Sequence, residues 1–199
     1  MYEGLNEYQR INHFPLSSEI TRKDRLSDNI NLSRLKYSES EFNFFPETFV
    51  LPDGYDEFFE YYQQLVLSSN KLPIWIIKPC NLSRGRGIYI TDKINEIPTD
   101  EYCIISRYIT NPLLINGLKF DLRIYVVISC LDPLRIYIYN EGLTRFATES
   151  YDINNNHFSR YAHLTNYSVN KNNSKFIHNS NINDDSGENE IHRINIENI

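Results

Sequence analysis

The stretch Ile74-Trp75-Ile76-Ile77 is apolar at every position and runs straight into Lys78-Pro79. An unbroken apolar run of that length predicts a strand buried on both faces. It is followed by Cys80-Asn81-Leu82-Ser83-Arg84-Gly85-Arg86-Gly87 and then by a second short strand signal, Ile88-Tyr89-Ile90. A lysine at the end of a buried strand can point its ammonium into a cleft, and the two glycines let backbone N–H groups approach a phosphate closely. Neither GxxxxGKS/T nor GxGxxG is present, so P-loop and Rossmann arrangements are excluded on their own motifs. Strand–loop–strand instead points to a flap over a nucleotide. The same residues also read as a basic surface turn or as an arginine-glycine RNA-binding fragment.

The remaining elements are mostly strands. Ser17-Ser18-Glu19-Ile20-Thr21 offers helix caps before Arg22–Leu26, with Leu26, Ile30 and Leu35 expected on one face. Phe49-Val50-Leu51 predicts a strand stopped by Pro52-Asp53-Gly54. Between Tyr55 and Leu67, the residues Phe58, Phe59, Tyr62, Leu65 and Val66 recur at helical spacing, as a core-facing stripe does. Cys103-Ile104-Ile105 predicts another strand. Phe120 to Ile128 alternates apolar with polar or aromatic residues, as does Leu134 to Tyr139, and the turn Leu131-Asp132-Pro133 lies between them. These two runs are expected to pair antiparallel with one face in the core. Asp121, Arg123, Arg135, Tyr137 and Tyr139 would form the other face, either solvated or lining a cleft.

Composition narrows the function classes. With 199 residues, 41% of them hydrophobic and 23% charged, one sizeable core is possible. A formal net charge of −6 argues against non-specific nucleic-acid binding, which needs a basic face. Cys80, Cys103 and Cys130 are widely spaced and have no CxxC or Cys/His ligand pattern, so they read as reduced thiols rather than a zinc site or disulfide framework. No leader-like apolar segment and no run of about 18 apolar residues is seen, which predicts a soluble, cytoplasmic chain without a membrane partner. From Asn172 to Ile199 the sequence mixes Asn, Ser, Asp and Glu. That stretch is expected to be a disordered low-complexity tail or insertion after a domain over residues 1–171.

Several blocks resemble the tubulin–tyrosine-ligase-like family, in its order and spacing. They are Gln9–Pro15, Glu19–Arg25, Lys78-Pro79 with Arg84–Ile88, Pro112–Ile115 with Lys119–Arg123, Glu141–Ala147 and His163–Lys171. The first block and Asn166-Tyr167-Ser168-Val169-Asn170-Lys171 resemble the polyglutamylase branch in particular. The resemblance implies an α/β ATP-grasp fold of two α+β lobes, incomplete at its C-terminal lobe, with ATP and Mg2+ as cofactors. Tubulin tails and free glutamate would be its partners, at the microtubule cytoskeleton, including cilium or basal body. The implied reaction adds glutamate to glutamate side chains through an acyl phosphate.

Carried over by position, Lys78 would touch the phosphates and serve catalysis, with Arg84 and Gly85 in the closing loop. Ser106, Arg107, Tyr108 and Ile109 would form a strand edge beside adenine. Lys119, Phe120 and Asp121 would meet the nucleotide, Asp121 through the ribose, and Thr165 and Asn166 would line the same cleft. Arg145 would hold the carboxylate of the incoming amino acid with help from Ser168, while Arg123 and Lys23 are further candidates for acidic substrate or phosphate. His13 and His163 read as structural. The family's metal ligands are expected beyond Ile199, with Glu188-Asn189-Glu190 no substitute. A non-catalytic tubulin- or nucleotide-binding remnant and a ligase acting on another protein are the alternatives.

Overall fold

A computed structural model of the chain describes residues 4–9, 11–69, 71–154 and 158–177, and the backbone of 193–195. The chain divides into two compact units, Met1–Asn81 with Ile90–Tyr108, and Leu82–Tyr89 with Ile109–Ile199.

The first unit contains α1 (Ser18–Thr21), α2 (Lys23–Lys36), β1 (Thr48–Leu51), α3 (Tyr55–Ser68), β2 (Trp75–Pro79), β3 (Tyr89–Thr91) and β4 (Cys103–Arg107). Its sheet has the order β1-β4-β2-β3, with β4 antiparallel to both β1 and β2. The apolar runs read from the sequence become these strands because the register stacks them. Phe49 and Ile77 both lie opposite Ile105, and Leu51 lies opposite Cys103. Phe49, Leu51, Trp75, Ile77, Cys103 and Ile105 form the core, and α3 closes it with the fully buried Phe58. The Phe58 and Trp75 rings meet edge to face, 5.0 Å between centroids, a geometry that adds to simple burial. The α3 stripe is narrower than its spacing predicts. Phe59 and Val66 stay exposed, while Tyr55, Tyr61, Tyr62 and Leu65 pack against the core.

Helix α2 departs from its expected apolar face. Leu35 is exposed, and the buried positions are Asp24, Ser27 and Ile30. The helix docks instead by hydrogen bonds. Ser27 Oγ and Asn31 Nδ2 donate to the Thr48 carbonyl of β1, and Arg34 donates to Glu47 and to the carbonyls of Phe42 and Phe45. Asp24 accepts a forked pair from Arg22 and a bond from the Tyr102 hydroxyl. These partners hold its carboxyl well below the usual carboxylate range. Of the expected serine and threonine caps, Ser17 occupies the N-cap of α1 and Arg22 takes that of α2, neither with a side-chain capping hydrogen bond.

The second unit holds β5 (Leu114–Ile115), β6 (Leu118–Arg123), β7 (Val126–Leu131), β8 (Leu134–Ile138), β9 (Glu141–Phe146), α4 (Arg160–His163), α5 (Tyr167–Asn170) and β10 (Arg193–Asn195). The two alternating runs pair differently from the expectation. Phe120 to Ile128 breaks at Ile124-Tyr125 into β6 and β7. Strand β7 pairs with β8 as a hairpin, while β6 joins a separate sheet of order β10-β9-β6-β5. Cross-strand chemistry fixes the partnership of β6 with β9, because Asp121 lies opposite Arg145 and Phe120 opposite Phe146. The β7–β8 hairpin was expected to bury one face, yet Val126, Val127, Leu134, Ile136 and Ile138 are all exposed.

A two-residue turn, Asn116-Gly117, with φ of 51° and 75°, joins β5 to β6. Beyond Asn172, the backbone of Arg193–Asn195 pairs with Leu143 to Glu141 of β9. The rest of the expected tail, residues 178–192 and 196–199, lies outside the described residues, as does Glu188-Asn189-Glu190.

Truncation of the first unit's keystone should be costly. Phe58→Ala is expected to destabilise the protein by about 3–5 kcal/mol, the usual range for an aromatic removed from a packed core. Urea unfolding followed by Trp75 fluorescence measures it, and a loss below about 1 kcal/mol would show that Phe58 is not central.

Candidate active site: a seated glycine loop and a basic cavity

The loop Leu82–Tyr89 belongs to the second unit and makes an unusually close backbone approach there. Arg84 and Gly85 both adopt left-handed conformations, with φ of 61° and 74°. A Cβ at Gly85 would stand 2.8 Å from Asn166 Oδ1 and 2.8 Å from Val169 Cγ2. Only glycine fits, for reasons of both space and dihedral angle. The Ser168 hydroxyl then donates to the Arg84 carbonyl at 2.5 Å, anchoring the loop to α5. Thus Arg84, Gly85, Asn166 and Ser168, named separately from the sequence, are brought together. The Ser168 proton is engaged with the loop rather than directed at a substrate.

A cavity of about 650 Å3 opens beside this contact, lined by Ser83, Arg84, Arg86, Arg160, Ser168 and Lys171 together with Val169 and Asn172. Four of these residues are cations, and none of the lining residues is Asp or Glu. Arg86, Arg160 and Lys171 were not singled out from the sequence. The first sits in a visibly basic loop, but Arg160 and Lys171 reach it only through the fold.

Arg145 and Asp121 were assigned separate ligands, yet they bind each other. Arg145 Nε and Nη2 donate to the two carboxylate oxygens at 2.7 and 2.5 Å. Asp121 raises the arginine further above its ordinary value. Lys119 Nζ donates to the His163 carbonyl at 3.1 Å. His163 is buried between the rings of Tyr151 and Phe158. Burial, and then the Lys119 charge, push its imidazole down to about 4, so it is neutral at physiological pH, as a structural histidine would be. His13 is exposed and bonds Asn12. Thr165 is buried, Phe120 packs on Phe146, and Arg123 lies over the Tyr125 ring.

In the first unit, Lys78 is the penultimate residue of β2 and is half-buried. Its pKa is lowered by burial and then by Lys23, whose ammonium donates to the Pro79 carbonyl. Two lysines held near one another suit an anion. Ser106, Arg107 and Tyr108 do not form the expected free edge. Strand β4 is interior to its sheet, and the N–H groups of Arg107 and Tyr108 already donate to the carbonyls of Glu47 and Ile74. Ser106 is buried and accepts a bond from Thr48, while Ile109 is exposed. Burial raises the Cys80 and Cys103 thiols to about 11, which makes them poor nucleophiles at neutral pH. Among the described residues, no group of three or more His, Cys, Asp or Glu is arranged to hold a metal ion. Nor is any helix among them long and apolar enough to cross a membrane.

The pH dependence of His163 has a definite sign. The folded state keeps it neutral down to about 4, against an ordinary value of 6.5. Between these values the unfolded chain binds more protons, so stability is complete above about pH 6.5 and is lost as the pH falls toward 4. Lowering the pH from 7 to 5 is expected to cost about 2 kcal/mol through this residue. Urea unfolding at both pH values, for the native protein and His163→Gln, isolates the effect. Equal pH dependence in the two would contradict it.

Comparison with known proteins assigns this arrangement to a family. The sequence profile described as "Tubulin-tyrosine ligase family" matches residues 3–197. Tubulin polyglutamylase TTLL5 of Mus musculus is 47% identical over 174 residues, covering 87% of this chain and 13% of that protein. The probable tubulin polyglutamylase TTLL2 of Homo sapiens is 44% identical over 171 residues, 85% of this chain and 29% of the relative. A probable beta-tubulin polyglutamylase of Tetrahymena thermophila is 40% identical over 174 residues, 86% of this chain and 14% of the relative. The chain therefore spans less than a third of the length of these relatives. It has a mixed α/β fold of the ATP-grasp type, and it belongs to the tubulin-tyrosine ligase family.

Proposed function

We propose that this chain carries part of an ATP-dependent ligase that adds glutamate to glutamate side chains of tubulin tails at microtubules. The observation that carries the reading is the cavity with four cations and no carboxylate beside a loop that only glycine can form. An acidic peptide and a polyphosphate are the ligands such a lining favours, and arginine forks bind both carboxylates and phosphates. The relatives are tubulin polyglutamylases by name, which supports tubulin as the partner.

A polyphosphate such as ATP suits cationic donors of this kind. Arg84, Gly85, Lys119, Asp121, Thr165 and Asn166 are the residues of the second unit proposed to meet the nucleotide. ATP would supply the phosphoryl group that activates the acceptor γ-carboxylate as an acyl phosphate. ADP would be released in that step, and the amine of free glutamate would then displace phosphate from the activated carbonyl, forming the amide and giving up a proton. Lys78 balances charge during the transfer, and Arg145 holds the incoming carboxylate with the N–H groups that Asp121 leaves available. Binding and orientation are the chain's main contribution, because an acyl phosphate is already reactive. Magnesium is a different case. The described residues do not form a carboxylate set for it, so no step is assigned through it.

Incorporation of labelled glutamate into tubulin, with and without ATP, tests the proposal. ATP-dependent label in γ-linked glutamate is expected, and Lys78→Ala should lower the rate by about a hundredfold or more. Label that forms equally without ATP, or a full rate with Lys78→Ala, would contradict the reading.

A further inference from the structure

We infer that Asn170 is the positioning residue of the candidate site, an inference that rests on the function proposed above. Its side chain is 1% exposed and uses its whole amide. Nδ2 donates to the carbonyls of Leu164 at 2.7 Å and Asn166 at 3.2 Å. Oδ1 accepts from the Thr148 N–H at 3.1 Å and from Thr148 Oγ1 at 2.9 Å. An asparagine amide offers two donors and an acceptor oxygen with two lone pairs, so none of its capacity remains.

The three segments it ties together are those that carry the site. Thr148 lies three residues past Arg145 at the exit of β9. Leu164 and Asn166 bracket Thr165 and lead into α5. Helix α5 in turn presents Ser168 to the Arg84 carbonyl, and Asn166 and Val169 to the bare face of Gly85. Asn170 touches no ligand in this scheme. It sets the surface on which the Arg84–Gly85 loop rests, relative to the strand that bears Arg145. No other residue type of similar size does both jobs. Aspartate keeps the acceptor half facing Thr148 but presents an oxygen to two carbonyls that need donors, and leucine abandons all four bonds.

Three variants separate positioning from mere folding. Asn170→Asp removes the donor half, Ser168→Ala cuts the loop anchor alone, and Thr148→Val removes one of the bonds to Oδ1. Two readouts are followed: the rate of tryptic cleavage after Arg84 and Arg86, and the affinity for AMP-PNP with magnesium. Asn170→Asp is expected to speed loop cleavage and weaken AMP-PNP by about tenfold each, the factor that corresponds to about 1.4 kcal/mol. Urea unfolding of the first unit should be unchanged. Ser168→Ala should move both readouts in the same direction, and Thr148→Val should move them less. If Asn170→Asp fails to fold, Ser168→Ala decides the question. Loop cleavage at the native rate in a folded Asn170→Asp, or in Ser168→Ala, overturns the inference. Loop cleavage that responds to Asn170 in a protein with no affinity for AMP-PNP leaves the positioning role standing and removes the nucleotide reading instead.

Discussion

The second unit is organised around an approach that only a hydrogen atom permits. Gly85 faces Asn166 and Val169 at a distance that leaves no space for a methyl group, in a conformation disfavoured for other residues. Arg84 precedes it in a left-handed conformation of its own, a local cost of about 1 kcal/mol that the surroundings must offset. The Ser168–Arg84 hydrogen bond and the packing of Val169 are the offsets visible in the structure. That contact sets Arg84 and Ser168 beside the cavity that Arg86, Arg160 and Lys171 also line. Backbone strain held in place by neighbours in this way commonly marks functional loops.

Charge is distributed in two distinct ways. Across the β6–β9 ladder, Arg145 is paired with Asp121 directly opposite it. Around the cavity, Arg84, Arg86, Arg160 and Lys171 converge without a carboxylate among the lining residues. Such a cavity is raised in energy by its own self-repulsion until an anion enters, which favours acidic ligands on a chain whose total charge is negative. The net charge therefore says little about the local field.

Much of this was legible in the sequence, for identifiable reasons. The uniformly apolar runs at Ile74–Ile77 and Cys103–Ile105 became interior strands because nothing else can bury such runs. Phe58 was found by its helical spacing. Reading failed where a polar group does the packing. Helix α2 docks through Ser27, Asn31 and Arg34, which period-based reasoning assigns to solvent. The alternation from Phe120 to Ile128 gave the strand type correctly but not its break, because the partner of β6 is chosen by Arg145 and Phe146, 24 and 26 residues beyond Asp121 and Phe120. At the site, motif residues were recognised individually, whereas the roles of Arg160, Lys171 and Asn170 depend on tertiary neighbours that no local pattern encodes. Asn116-Gly117 was a readable hairpin signal that the spacing of apolar residues overshadowed.

The central claim is that the glycine-only contact builds an anion site. The most direct measurement is the affinity of the protein for inorganic tripolyphosphate by titration calorimetry, for the native chain and for Gly85→Ala. The account predicts that the native protein binds, with an affinity that falls as salt is raised, and that Gly85→Ala binds at least about tenfold more weakly while its first unit stays folded. Equal affinities for the two proteins would contradict it.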